Sequence, residues 1–291
     1  DRLGEAELVF RRGTPPESTY TFKHALVRDA AYESLLRSTR QQIHARILAA
    51  FEQSADQPAE VCAQHAFEAG LREKAVAFWR EAGSRAIQRS ANQEATGHLH
   101  AAIDVAKTLG NDRQWHREEM ELQLLLGQAL IAIEGYAAPA TIDAFHQALR
   151  LSHEVDDIGG RMRALYGQWA GEYIACGPTG PLVEQFAVAA AEEDESGPKV
   201  ISTRMQTLEL LHAREYESAL EQVERALRDY IPDEHRGLGR EYGHDPRAAS
   251  LVYRCWLKWF LGYPDQSHTS MLEAMQWADE LESEEHTSEL Q

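Results

Sequence analysis

Cysteine is scarce in this chain of 291 residues, and the little that is present argues against a disulfide-stabilised fold. Three cysteines stand far apart, each among apolar residues with helical spacing: Cys62, Cys176 and Cys255. An odd number of thiols without a Cys-x-x-Cys pair is typical of small buried side chains in a reducing compartment. We therefore expect a cytoplasmic protein without a metal site.

Positive charge and long apolar runs are also lacking. Lysine and arginine number 29 against 47 acidic residues, which leaves a net charge of −18. A nucleic-acid surface needs positive potential, so nucleic-acid binding is not expected. The N-terminal fifth is the least acidic part, but interleaved carboxylates there favour a solvated surface or a face that packs on another module. No apolar run reaches about 18 residues, so no membrane partner is expected.

Signatures of catalysis are missing as well. The sequence contains neither a Gly-x-Ser-x-Gly nucleophile motif nor a Gly-x-x-x-x-Gly-Lys-Ser/Thr phosphate loop. Its densest group of carboxylates is Glu192–Glu195, but successive positions on a turn point in different directions, which favours a solvated linker over an acid–base pair. We predict no catalytic residues and no bound cofactor in this part of the protein.

Strand-forming sequence is confined to the first two dozen residues. The alternating runs Leu8–Arg12 and Thr19–Phe22 flank a turn that contains two prolines, which predicts a β-hairpin. An isolated hairpin is marginal in water, so we expect it to lean on the apolar face of a following helix, His24–Arg37. A second helix is predicted over Arg40–Gln53. This order is typical of the end of a winged-helix domain, which we place at residues 1–54.

Helical periodicity governs the rest of the chain. In the stretch Val76–Ile103, large and small apolar residues recur at helical spacing on both sides of a polar break. Gly83 predicts a close approach of two antiparallel helices, because only a missing side chain makes room for a neighbour's bulk. The pattern resembles a tetratricopeptide repeat. We predict an all-α fold with a tetratricopeptide-like α-solenoid over residues 55–282, and we expect the six tryptophans in its core.

Two segments carry a more specific resemblance. Phe10–Ile47 and Tyr230–Ser267 resemble the C-terminal half of bacterial STAND-type signalling ATPases, in which an ATPase module leads through a winged helix into such repeats. Many members of that family begin with a class III adenylate/guanylate cyclase domain. The resemblance implies a non-catalytic regulatory region whose partners are its own upstream ATPase module and a protein segment or small effector on the concave repeat surface. ATP or ADP with Mg²⁺ would bind in the parent protein. An alternative is the effector-sensing region of a STAND-type transcription regulator with its DNA-binding domain elsewhere.

Candidate site residues fall in two places. The resemblance implies that His24 approaches the nucleotide phosphates in the parent protein; a hydrogen-bonded structural histidine is the alternative. The polar loop 235–247 is the other place, because loops carry recognition more often than packed helices do. Its candidates for effector or partner binding are His235, Arg236, Arg240, Tyr242 and His244, and the alternative is a well-capped connector between helices.

The sequences at the two ends of the chain suggest that neither is a natural terminus. It begins at Asp1 without an initiator methionine or a signal peptide, which we interpret as a cut inside a longer protein. At the other end, Ser283–Gln291 is similar, residue for residue, to one reading frame of a common sequencing adapter. We expect residues 283–291 to be an artefact of sequence acquisition.

Overall fold

The computed structural model of the protein describes residues 8–14, 18–53 and 57–289, without the side chains of Arg240 and 282–289. The described part is predominantly helical, which confirms the predicted helical class. Its sheet consists of strands β1 (Val9–Arg12) and β2 (Thr19–Phe22), which pair antiparallel with Val9 opposite Phe22. The hairpin is therefore present as predicted, and part of its turn, residues 15–17, lies outside the described residues.

The two helices after the hairpin differ from the prediction. Helix α1 spans Ala25–Glu33 and α2 spans Arg37–Phe51, so the first is shorter and the second begins earlier than expected. Leu36 between them has an extended backbone with ψ of 146°, which breaks the helix. The expected packing of the apolar face of α1 is wrong, since none of its residues is buried and Leu26 is 83% exposed. The face therefore stays largely exposed, although Val27 and Leu35 nearby are half-buried.

The remaining helices follow one another with short connections. In chain order they are α3 (Ala59–Glu68), α4 (Arg72–Gln88), α5 (Asn92–Ala106), α6 (Arg113–Glu134), α7 (Pro139–Val155), α8 (Ile158–Ile174), α9 (Gly180–Glu192), α10 (Ser196–His212), α11 (Tyr216–Asp229), α12 (Pro232–His235), α13 (Leu238–Tyr242), α14 (Pro246–Phe260) and α15 (Pro264–Glu289). The short helices α12 and α13 lie where the sequence predicted a long loop. We call residues 231–244 the insertion.

Sequence neighbours pack as antiparallel pairs. In the pair α4–α5, Gly83 faces Leu99 while Arg72, near the start of α4, hydrogen-bonds Thr108 just beyond the end of α5 at 2.9 Å. A Cβ atom added at Gly83 would lie 2.8 Å from Leu99 Cγ, so the two helices approach closely at the glycine, as the sequence predicted. The pair α6–α7 is antiparallel in the same way, because the side chain of Arg113 at the start of α6 donates to the carbonyl of Val155 at the end of α7.

The first helices of successive pairs also contact one another, at a nearly constant offset along the chain. Arg80 of α4 donates to Glu118 of α6, 38 residues later. Further along, Glu121 of α6 accepts from Arg163 of α8 across 42 residues, and Tyr166 of α8 accepts from Arg204 of α10 across 38 residues. Parallel helices side by side give a constant offset. Helices α4, α6, α8 and α10 therefore form a row, one per pair.

The structure also tests the expected burial of the cysteines and tryptophans. Cys62 and Cys255 are buried, but Cys176 is exposed, so the expectation of a buried thiol is wrong there. Trp256 and Trp259 are 42% and 64% exposed, so the expectation that all six tryptophans lie in the core is wrong for these two.

Helix α15 continues to Glu289 in the adapter-like segment, and residues 290–291 lie outside the described residues. In the described part, no helix combines the length and apolar character that crossing a membrane requires.

Candidate functional site

His24 stands immediately before α1, at the position where the sequence placed it. Its backbone is extended, and its carbonyl accepts hydrogen bonds from the N–H groups of Val27 and Arg28. The imidazole is exposed and makes no capping hydrogen bond to the helix. A helix N-terminus favours anions in general, and nothing among the described residues tests this ring against one. The predicted role of His24 toward nucleotide phosphates stays a prediction.

His235 in the insertion is a buried structural group. It is 1% exposed, and its Nδ1 atom accepts a hydrogen bond from the backbone N–H of Ile231 at 2.9 Å. The neutral ring must then carry its proton on Nε2, which lies 2.6 Å from Ser196 Oγ. Since Ser196 in turn donates to Glu234, this serine and histidine hold the start of the insertion on α10. An Nε2 that donates to the hydroxyl cannot activate it, so the pair is not arranged as a nucleophile and its base.

Tyr242 anchors the far end of the insertion on the row of first helices. It is 3% exposed, and its ring meets that of Tyr166 on α8 edge to face, 5.0 Å between centroids. Burial, together with the nearby Glu241 carboxylate, raises the pKa of its hydroxyl. The next residue, Gly243, has a positive φ of 78° and lies against the hydroxyl of Tyr136. The insertion thus runs from the N-terminus of α10 across α8 to the connection between α6 and α7.

Three charged side chains meet under the insertion. Arg163 of α8 donates to both carboxylate oxygens of Glu121 of α6, at 3.0 and 2.6 Å. Glu241 of α13 is farther from the same guanidinium, 4.0 Å from its Nε atom. Desolvation raises the pKa of Glu241, and Arg163 only partly opposes that shift. One guanidinium therefore faces two carboxylates, and Glu241 is the less well paired of the two.

A cavity of about 310 Å³ opens beside this charged group. Its lining comes mainly from helices α6 and α8 on one side and from α13 on the other. Its apolar lining comes from Leu124, Leu125, Ile131 and Phe145, and its aromatic and polar lining includes Tyr136, Tyr166, Tyr242 and Gln128. The phenyl ring of Phe145 fits there because two glycines, Gly127 and Gly167, face it from α6 and α8. The volume is at the small end of the range for ligand pockets.

The other predicted loop residues lie apart from this cavity. The guanidinium of Arg236 lies 5.3 Å from the ring centroid of Trp277 on α15, where Arg247 approaches the same ring to 4.8 Å. His244 is exposed, and desolvation and the neighbouring Arg204 lower its pKa. The side chain of Arg240 lies outside the described residues. Effector binding by the five loop residues stays a prediction, and the structure brings only Tyr242 of the four described ones to the cavity.

Sequence reasoning missed four polar residues that line the cavity or lie beside it. Glu121, Gln128, Tyr136 and Arg163 come from two earlier helix pairs and belong to no motif. Glu121 and Arg163 carry one signal, since they stand 42 residues apart, close to the offset between the first helices of successive pairs. Among the described residues, no three His, Cys, Asp or Glu side chains converge as metal ligands.

Comparison with known proteins adds a distant relative. No family model matches the chain. An uncharacterized protein of Rhizobium meliloti (strain 1021) is 28% identical to it over 156 residues, which are 52% of this chain and 15% of that protein. The match therefore spans a small part of a much longer relative, whose name gives no activity.

Proposed function

We propose that this chain is a non-catalytic regulatory region of a STAND-type signal-transduction ATPase, in which tetratricopeptide-like helix pairs offer a binding surface for a protein segment or small effector. The observation that carries the proposal is the row α4, α6, α8 and α10, whose members contact one another at offsets of 38 to 42 residues. Such a row is what stacked repeats produce, and stacked repeats present an extended concave surface.

The parent protein is proposed on the family resemblance. In it, an ATPase module stands upstream of residue 1, joined to a class III nucleotide cyclase, and ATP or ADP binds there with Mg²⁺. Two observations support the upstream module as a partner. The first is exposed apolar surface, with Leu26 of α1 at 83% and Leu36, between α1 and α2, at 75% exposure. The second is the exposed His24 just before α1. A relative that extends far beyond the matched region is also consistent with a larger protein.

The test is nucleotide retention by the parent protein. The complete reading frame is expressed, and ADP release is followed for the wild type, His24→Ala and a matched control, His153→Ala, whose exposed side chain lies on α7. We expect faster ADP release in His24→Ala alone, because an imidazole hydrogen bond to phosphate is lost. Equal release rates in all three proteins would contradict the sensing role.

The same reading frame separates the two versions of the proposal. A phosphate loop upstream of residue 1 and a cyclase domain before it support the regulatory region of a cyclase-linked ATPase. A helix-turn-helix domain in place of the cyclase would support the alternative, a transcription regulator that senses an effector through these repeats. Absence of any phosphate loop would refute both.

A further inference from the structure

The cavity under the insertion has an unbalanced charge. Its lining includes the carboxylate of Glu241 and the guanidinium of Arg163, and both terminal nitrogens of that guanidinium already donate a hydrogen bond to Glu121. Among the described side chains that line the cavity, Arg163 is the single cation. A ligand anion would meet a guanidinium that is already paired with Glu121 and would have two carboxylates nearby. A ligand cation would instead give Glu241 a close charge partner, where it now has the hydroxyl of Tyr242 and Arg163 at 4.0 Å.

The walls of the cavity suit an apolar body with aromatic contacts. Leu125 and Ile131 of α6 supply aliphatic surface, and Tyr136 and Tyr166 supply aromatic rings. Aromatic faces attract ammonium groups electrostatically, and the attraction grows when the site is partly desolvated. The chain as a whole carries a net charge of −18, which concentrates cations and repels anions at its surface.

We propose that this cavity binds a small organic ammonium, a protonated amine on an apolar body, with the ammonium at Glu241 and the body against Leu125 and Tyr136. This deepens the proposed function, because it gives the repeat surface an effector of stated chemistry. The volume of about 310 Å³ suits a single-ring amine better than a folded partner. A ligand held there contacts α6 and α13 at once, so its binding stabilises the docked position of the insertion.

The experiment is calorimetric titration of the purified chain with compounds of matched shape and different charge. The probes are 2-phenylethylammonium, its neutral analogue 2-phenylethanol and its anionic analogue phenylacetate, with cyclohexylmethylammonium as a second amine. We expect one site for the amines, at least tenfold weaker binding of the alcohol, and no binding of phenylacetate. Nα-acetyl-lysine methylamide reports on the other source of an ammonium, a lysine of a protein segment; if it bound more tightly than both amines, the small-molecule assignment would be overturned.

Variants locate the site. Glu241→Gln removes the charge while keeping the shape, and should weaken amine binding at least tenfold. Glu118→Gln is the matched control, because that carboxylate also lies on the row and pairs with an arginine, Arg80, away from the cavity. Gln128→Trp places a large side chain at the exposed rim, so it should abolish binding without disturbing the core. Failure of both amines to bind, or equal loss in Glu241→Gln and Glu118→Gln, would overturn the assignment. The outcome is independent of ADP release, so the scaffold proposal stands or falls separately.

Discussion

The close contact between α4 and α5 can be tested by adding a single methyl group. In Gly83→Ala, the new Cβ lies 2.8 Å from Cγ and 2.9 Å from Cδ2 of Leu99. Carbon atoms prefer separations of about 3.5–4.0 Å, and Leu99 is fully buried, so it must shift against its neighbours in the core to accept the new atom. Overpacking of this kind costs about 1–3 kcal/mol. Alanine favours the helical conformation over glycine by about 1 kcal/mol, so the substitution also stabilises the helix and offsets part of that cost.

The matched control is Gly97→Ala on the partner helix α5. There the added Cβ meets no atom within 4 Å, so the variant gains helix propensity and no clash. We expect Gly97→Ala to be more stable than the wild type by about 0.5–1 kcal/mol. Because the propensity gain is common to both variants, the difference between them isolates the packing cost, about 1–3 kcal/mol. Gly83→Leu should be destabilised by about 3 kcal/mol or more on the same grounds.

The assay is urea unfolding of the purified chain, followed by its helical circular dichroism signal at one temperature. The three variants and the wild type are compared by their free energies of unfolding, since the slope with urea should not change. If Gly83→Ala proved as stable as Gly97→Ala, the contact with Leu99 would carry no energy. The repeat register assigned to α4 and α5 would then be wrong.

Two further predictions concern stability. Burial, with a smaller contribution from the neighbouring His44, lowers the pKa of His65 in the folded chain. At mildly acidic pH the unfolded chain therefore binds more protons at this residue than the folded chain does. Stability should therefore fall as pH drops below about 6.5, and thermal melts of His65→Gln should show a weaker dependence on pH in that window. Asp245 accepts hydrogen bonds from the backbone of α14, a tyrosine hydroxyl and the indole of Trp277, so Asp245→Asn should cost about 1–3 kcal/mol in urea unfolding. Asp112→Asn, which keeps a simple helix cap, should be nearly neutral; equal losses would contradict the special role of Asp245.

Local features were predictable from the sequence because their partners are near in the chain. Gly83 and Leu99 stand in consecutive helices joined by a short turn, so the spacing of small and large residues already paired them. The hairpin was predictable for the same reason, since a proline-containing turn separates two alternating runs.

Packing that depends on other parts of the molecule was not predictable. The periodicity of α1 indicates an apolar face, but Leu26 on that face is 83% exposed. The prediction that Trp256 and Trp259 lie in the core is wrong for the same reason. A helical pattern indicates which way a side chain points, but it does not show whether another element packs there. The charged group beside the cavity required Glu121, Arg163 and Glu241 to meet from three separate helices, and no motif in the sequence relates them.

Amine binding at the proposed site should be coupled to docking of the insertion on the row of helices. Glu241 and Tyr242 belong to α13, whereas Arg163 and Gln128 belong to α8 and α6, so the cavity exists only while the insertion is docked. A ligand that needs both sides binds the docked state alone and shifts the population toward it by its full affinity. Undocking would expose the buried ring of Tyr242 and remove its contact with Tyr166, which opposes the open state in the absence of ligand. An amine and the insertion should therefore stabilise each other, and amide hydrogen exchange of residues 238–243 should slow on addition of 2-phenylethylammonium in the wild type but not in Glu241→Gln.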